Sequence, residues 1–304
     1  MLCGGMVDDD LARALAEVGR EVRDAVLSVT VTDADSDVVR EAGGDVVFGV
    51  DARADVVLVD ALRRRCGERW PGHLVMEGLD EPATIGDGGG GGEWAYLADP
   101  VDGTRPWLAG KRSAWVLLGA GRRAQTLDDL EVGTAVELPT ARACLARVAW
   151  AVRGGRPHAV DDDLVRGGGP HPVELRSREG ADLERAWVTV ARFSPGQKEV
   201  IGRFEDALLA GLEVYEDPYL CSGGQLMGLA SGADAAVLDP RPLFGAHFCA
   251  HPYDLAALVV ARAAGVVVEA LPPGPLDVPL EPTVDVAWAG YANEQVAERL
   301  RPTF

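Results

Sequence analysis

Residues 97–104 read "LADPVDGT": two aspartates three positions apart, a proline between them and a Gly-Thr pair behind, at the end of an apolar run. Pro100 restricts the backbone after Asp99, and Gly103 permits a turn that Asp102 and Thr104 share. Such a bend gathers two carboxylates and a backbone carbonyl into one small volume. Left alone, carboxylates that close repel, and one takes up a proton. A hard divalent cation relieves them, because Mg²⁺ takes oxygen ligands from one or two carboxylates together with phosphate and water. The same residues also suit a plain surface turn with Asp99 as a helix N-cap, and on this segment alone that alternative stays open.

The composition narrows the partners. The chain of 304 residues is long enough for one large domain or two intimately packed ones, and it is 47% hydrophobic and 25% charged. Lys plus Arg number 29 against 48 Asp plus Glu, a net charge of -19. That balance argues against gripping nucleic acid or anionic lipid through a basic surface. An acidic protein can still bind an anionic substrate if cations stand between. Cys3, Cys66, Cys144, Cys221 and Cys249 are dispersed without a CxxC, which points to reduced thiols in a cytoplasm. No apolar run reaches membrane-spanning length, and "MLCGGMVDDDLARAL" has neither the basic nor the apolar region of a signal peptide.

Around the aspartates, periodicity predicts the elements that must hold them. Leu11, Leu15, Val18, Val22 and Val26 predict a helix over 8–29, and 51–70 reads as a second. A strand over 73–78 reaches Glu77, and the five-glycine stretch in "GDGGGGGEW" (86–94) reads as a flexible loop. It lacks the Lys and Ser/Thr of a P-loop; its place between Glu77 and Asp99 suggests gating. "WAYLAD" and "SAWVLLGAG" read as strands flanking a turn and a short helix beginning at "GTRPW", whose N–H groups would face an anion. From about 131 to 193 the pattern is strand-like. Helices come next over 196–212 and "GGQLMGLASG", then a strand at 233–239, a helix over 253–265 stopped by Gly265, and the strand "VVVEAL". Trp94, Trp107, Trp115, Trp150, Trp187 and Trp288 read as core residues.

With these segments in place, the chain resembles the inositol monophosphatase superfamily of Mg²⁺-dependent, lithium-sensitive phosphatases. "DPVDGT" is similar at every position to that family's Asp-Pro-(Ile/Val)-Asp-Gly-Thr signature. "YDLAALVVARAAGVVVE" resembles its second signature, with Asp254 at the aspartate and Tyr253 in place of tryptophan; "VMEG" and "DVVFGVDARAD" resemble two further segments, with Glu77 and Asp51 at their acidic positions. The resemblance implies an α+β fold, a layered αβαβα sandwich of the sugar phosphatase type. Residues 1–130 would form an N-terminal half carrying most metal ligands, and 131–304 a half that completes the site. It implies that Glu77, Asp99, the carbonyl of Val101, Asp102 and Asp254 hold two or three Mg²⁺ ions, with Glu77 also catalytic. Thr104, paired with Asp51, would orient and deprotonate a metal-activated water. Asp102, Gly103, Thr104, Ser222 and His247 would contact substrate, and a homodimer is expected.

Several positions depart from the family pattern. Gly78 stands where a second glutamate is usual, which puts the third metal in doubt unless Asp80 or Glu81 compensates. Phe48 replaces a threonine, Met76 a glycine, and Arg40 a lysine if the match is ungapped. His247, Cys249 and His251 read as packing or surface residues around Pro252 rather than a metal cluster, although His247 falls where relatives offer a group to substrate hydroxyls. Lys111 and Arg112 could assist phosphate binding, but they read as solvated. The expected activity is hydrolysis of a small phosphate monoester, an inositol or sugar phosphate. The alternatives are a 3′(2′),5′-bisphosphate nucleotidase, a histidinol-phosphatase-like enzyme, and a non-catalytic metal or phosphate binder.

Overall fold

The stripe Leu11, Leu15, Val18, Val22 and Val26 lies buried along one side of helix α1 (Gly4–Leu27) in the computed structural model, packed against a large sheet. The structure describes residues 4–28, 37–42, 45–86, 92–167, 169–246 and 249–301. After α1 comes the hairpin β1 (Val38–Ala42) and β2 (Asp45–Phe48), which leads directly into α2 (Gly49–Cys66). Helices α1 and α2 pack on each other and form one outer layer.

Beneath them runs an eight-stranded sheet. Its strands are β3 (Gly72–Met76), β4 (Ala83–Ile85), β5 (Trp94–Asp102), β6 (Ala114–Arg122), β7 (Val132–Leu138), β8 (Leu145–Val152), β9 (His158–Asp163) and β10 (His171–Val173). Their spatial order is β10-β9-β8-β7-β6-β5-β3-β4, with β3 and β5 parallel and the other pairs antiparallel. Helix α3 (Thr104–Leu108) interrupts the run from β5 to β6. A second sheet in the order β11-β12-β14-β13 joins β11 (Trp187–Val190), β12 (Asp234–Asp239), β13 (Val267–Ala270) and β14 (Trp288–Tyr291).

Helices α5 (Ser222–Ala230) and α6 (Leu258–Ala263) fill the space between the sheets, while α4 (Lys198–Leu208) and α7 (Glu294–Leu300) cover the far side of the second. The α5 sequence, SGGQLMGLA, carries no charge and is buried on nearly every side, as a helix between two sheets must be. The layers are therefore αβαβα, the expected sandwich. No helix among the described residues is long and apolar enough to cross a membrane.

One irregularity in β5 sets the direction of its aspartates. Asp99 lies opposite Leu117 of β6, and Asp102 opposite Trp115, so three steps on β5 match two on β6. In a regular strand, residues three apart point to opposite faces. The extra residue of this bulge removes one alternation and turns both aspartates to the same side.

Other expectations need correction. The helix expected over 253–265 is two pieces, a 3-10 turn at Pro252–Leu255 and then α6, ending before Gly265 at φ 101°. Pro252 begins the turn and helical hydrogen bonding restarts only at Ala257. Trp187 is not core: it is 43% exposed on the edge strand β11 and packs on Tyr215. Residues 87–91, which hold four of the five loop glycines, and His247 lie outside the described residues, as does the side chain of Arg40.

Candidate active site

Asp99 and Asp102 sit at the bulged end of β5, and Asp254 reaches them from the turn before α6. One carboxylate oxygen from each lies within 4.8 Å of the others. Glu77, in the turn after β3, lines the same cleft and is close enough for its charge to act on Asp99. Its N–H is tied to the carbonyl of Ala98 at 3.3 Å, so the parallel β3–β5 pairing places it.

Each of the three aspartates is anchored by a backbone N–H. Asp99 Oδ1 accepts from Val101 at 2.9 Å, Asp102 Oδ2 from Gly223 at 2.5 Å, and Asp254 Oδ2 from His251 at 2.6 Å. The last is the arrangement of a capping box, and it recurs at Asp51, whose Oδ2 accepts the Phe48 N–H at 2.9 Å at the start of α2. Asp51 Oδ1 in turn accepts the Thr104 hydroxyl at 2.8 Å. The carbonyl of Val101 lies 2.7 Å from the same hydroxyl. Thr104 thus bridges α2 to the cleft.

Gly103 makes the bend possible. It has φ 90°, the left-handed region, and a Cβ there would stand 3.0 Å from Cβ of Cys221. Gly223 plays a similar part across the cleft: its lack of a side chain lets α5 approach Leu117 and deliver its N–H to Asp102. Ser222, the first residue of α5, is buried and lines the cleft.

The electrostatics are severe. Burial, then the charges of Glu77, Asp102 and Asp254, push the Asp99 carboxyl well above its ordinary range. Burial and Asp254 push Asp102 the same way, opposed by the N–H of Gly223. Buried carboxylates crowded in this way, with an all-oxygen donor set, fit a hard divalent cation. Asp99, Asp102 and Asp254 could hold it, and Glu77 and Val101 line the same cleft.

The position of the expected second glutamate has a geometric explanation. Gly78 is buried with φ 78°, a conformation that costs a glutamate about 1 kcal/mol or more. Asp80 and Glu81 are exposed and do not line the cleft. Arg112 is exposed, as expected, and there pairs with Asp217 and lies over the ring of Tyr219. His251 is buried and stacks on Tyr253, a packing role.

Two cleft residues escaped the sequence. Cys221 caps α5 by accepting the Gly224 N–H at 3.2 Å, and its thiol lies 3.2 Å from Asp102 Oδ2. Arg241 lines the cleft, buried, its guanidinium clamped on Asp239 at 2.8 and 2.6 Å. The Asp-Pro-Arg spacing at 239–241 was the signal for the second. Cys221 lies in "EDPYLCSGGQL" (216–226), a segment from which the family resemblance predicts specificity residues, but its thiol carried no signal of its own.

No family model and no curated protein matches this sequence. Solved structures do. A Pyrococcus horikoshii protein described as having similarities to inositol-1 monophosphatase superposes with a TM-score of 0.67 at 18% identity, over 97% of this chain and 98% of that one. SuhB of Mycobacterium tuberculosis matches with a TM-score of 0.64 at 18% identity, over 97% and 94%. Fructose-1,6-bisphosphatase of Leishmania major matches with a TM-score of 0.66 at 12% identity, over 95% and 91%. The chain has the fold of the inositol monophosphatase superfamily.

Proposed function

We propose that the chain is a divalent-cation-dependent phosphatase, hydrolysing a small phosphate monoester in the cleft between β5, α5 and the turn at Asp254. The observation that carries this reading is the pairing of two devices in one place. Oxygens of Asp99, Asp102 and Asp254 lie within 4.8 Å of one another, and the hydrogen-bonded Thr104–Asp51 pair stands beside them. A cation binder has no use for the second device. The similar structures, named as inositol monophosphatase and fructose-1,6-bisphosphatase, support the same chemistry and point to an inositol or sugar phosphate.

When bound, Mg²⁺ would offset the charge of the phosphoryl oxygens and ease the ionisation of the attacking water. The chain's own residues do the rest. Water beside Thr104 attacks phosphorus, its proton passing to Thr104 Oγ1 while the Thr104 proton moves to Asp51 Oδ1. The ester P–O bond breaks, and its electron pair leaves on the alcohol oxygen, which takes a proton from solvent. The products are inorganic phosphate and the free alcohol. Phe48 N–H on Asp51 Oδ2 keeps Oδ1 turned toward Thr104.

The test is inorganic phosphate release from inositol 1-phosphate, fructose 1,6-bisphosphate, histidinol phosphate and adenosine 3′,5′-bisphosphate, each with Mg²⁺ and with EDTA. Release that needs the cation supports the reading. No release, with a melting temperature raised by Mg²⁺, would favour a binding role; no release and no shift would remove the metal site.

A further inference from the structure

The carboxylate side of the cleft is polar, but its opposite side opens into a second cavity of about 310 Å³. The two share Ala191, Phe193, Tyr219, Leu220 and Gln225, so a molecule with its phosphate at the aspartates can continue into the second space. Its walls are made by Val190, Ala191, Phe193, Pro218 and Leu220. Phe193 and Leu220 are 40% and 38% exposed, large apolar side chains held at a mouth where a solvated surface has no need of them.

The polar groups along this slot have partners already. The Thr189 hydroxyl lies 3.2 Å from the Asp217 carbonyl and accepts the Asp217 N–H at 3.3 Å. Gln225 Nε2 donates to the Tyr219 carbonyl at 2.7 Å, and the Tyr219 hydroxyl donates to the Ser113 carbonyl. Arg192 is held between Glu205 at 2.9 Å and Glu216 at 2.5 Å. Only Lys198, exposed at the rim, has no partner of this kind among the described residues. A polyol entering here would give up hydration for few new hydrogen bonds, whereas an apolar or planar group would gain from burial.

We infer that the substrate is a phosphate monoester whose leaving alcohol carries an apolar or planar ring, seated in the slot walled by Phe193, Pro218 and Leu220. The inference rests on the phosphatase reading of the cleft, which admits any small phosphate monoester, and departs from the inositol or sugar phosphate that the similar structures suggest. The phosphate stays with the aspartates and the ring lies along β11. A cavity of this size is at the lower end of those that hold small molecules, about 300–1,000 Å³, and a single ring on a short linker fits it.

The test compares 3-phenylpropyl phosphate with glycerol 1-phosphate and inositol 1-phosphate in Mg²⁺, using the full chain. An unactivated alkyl ester is chosen because an aryl phosphate would react faster through its better leaving group, whatever the slot did. The expected result is a kcat/KM at least tenfold higher for the phenylpropyl ester, carried by KM. Phe193→Asn and Leu220→Asn should each narrow that ratio several-fold, with unchanged melting temperatures showing that the fold is intact. Equal rates, or preference for a polyol, would overturn the slot and leave the phosphatase standing. Were no ester cleaved, the phosphatase reading would fail, and calorimetric binding of 3-phenylpropylphosphonate against 3-hydroxypropylphosphonate in Ca²⁺ would still decide the slot. Tighter binding of the phenyl compound, lost in Leu220→Asn, supports it; equal binding overturns it.

Discussion

Asp102 of β5 accepts the backbone N–H of Gly223 at 2.5 Å, so a carboxylate of the large sheet occupies the first turn of a helix that begins about 120 residues later. Negative charge at a helix N-terminus is favourable. The contact therefore stabilises Asp102 in its ionised form, against the burial and the Asp254 charge that disfavour it. The same carboxylate thus serves the packing of α5 and lines the cleft where the phosphatase reading places the cation.

Asp102→Asn separates these roles. The amide oxygen can still accept from Gly223, so the fold should persist, and with one buried negative charge removed the variant should melt higher than the wild type in EDTA. Phosphate release in Mg²⁺ should fall by at least about 100-fold, the scale of a lost site charge. Melting curves and phosphate release on one preparation check both. An unaffected rate would take Asp102 out of the cation site.

Thr104→Val replaces the hydroxyl by a methyl group of similar size. Asp51 Oδ1 loses its donor and the Val101 carbonyl its contact with the hydroxyl, at a cost of about 1–3 kcal/mol in stability. If the pair removes a proton from water, kcat should drop about 10²–10⁴-fold while the Mg²⁺ concentration for half-activation stays put. A Mg²⁺ requirement shifted in parallel with kcat would make Thr104 a structural residue only.

Cys221 positions Asp102 through a thiol, which serine can imitate and alanine cannot. Cys221→Ala should raise the Mg²⁺ concentration needed for half-activation several-fold, and Cys221→Ser should return it close to the wild-type value. The readout is a Mg²⁺ titration of activity and of melting temperature; equal values in all three proteins would sever the link between thiol and cation site.

Away from the cleft, Asp234 at the start of β12 is pushed up to about 6 by burial and the charge of Asp217, with Arg112 opposing. Unfolded, the group titrates near 3.8. Between these values the folded state holds the proton more tightly, so stability from this group falls as pH rises from about 4 to 6 and the penalty is complete above. Asp234→Asn should therefore melt higher than wild type at pH 8, with the gap closing at pH 4. A gap independent of pH would contradict the assignment.

The chemistry was more legible than its support. "DPVDGT" was visible from its own residues, and Glu77, Asp51 and Asp254 through their resemblance to the family's segments; the structure brings Glu77, Asp99, Asp102 and Asp254 to one cleft and ties Asp51 to Thr104 beside it. The apolar stripe of α1 was equally plain. Strand β9 was hidden, because "DDD" reads as a turn. It is a strand because Asp161 meets Arg147 at 2.5 Å and Asp162 meets Arg20 and Arg23 of α1, each at 2.8 Å. The break before α6 was hidden too, since Ala and Leu favour helix on both sides of it. Cys221 acquires its role only through an approach between distant segments, and no local pattern records such an approach.

The bulge in β5 carries a consequence for how such a site can be lost. Asp99 and Asp102 face the same way because β5 has one residue more between them than β6 has between their partners Leu117 and Trp115. A slip that erased the bulge and paired β5 with β6 residue for residue would keep every acidic side chain, the charge and the composition. It would also send one of the two aspartates, three apart in a regular ladder, into the opposite layer, among the apolar side chains under α1. What β5 transmits to the cleft is a count as much as an identity, and a chain can retain all its acidic residues and yet be silent by one position.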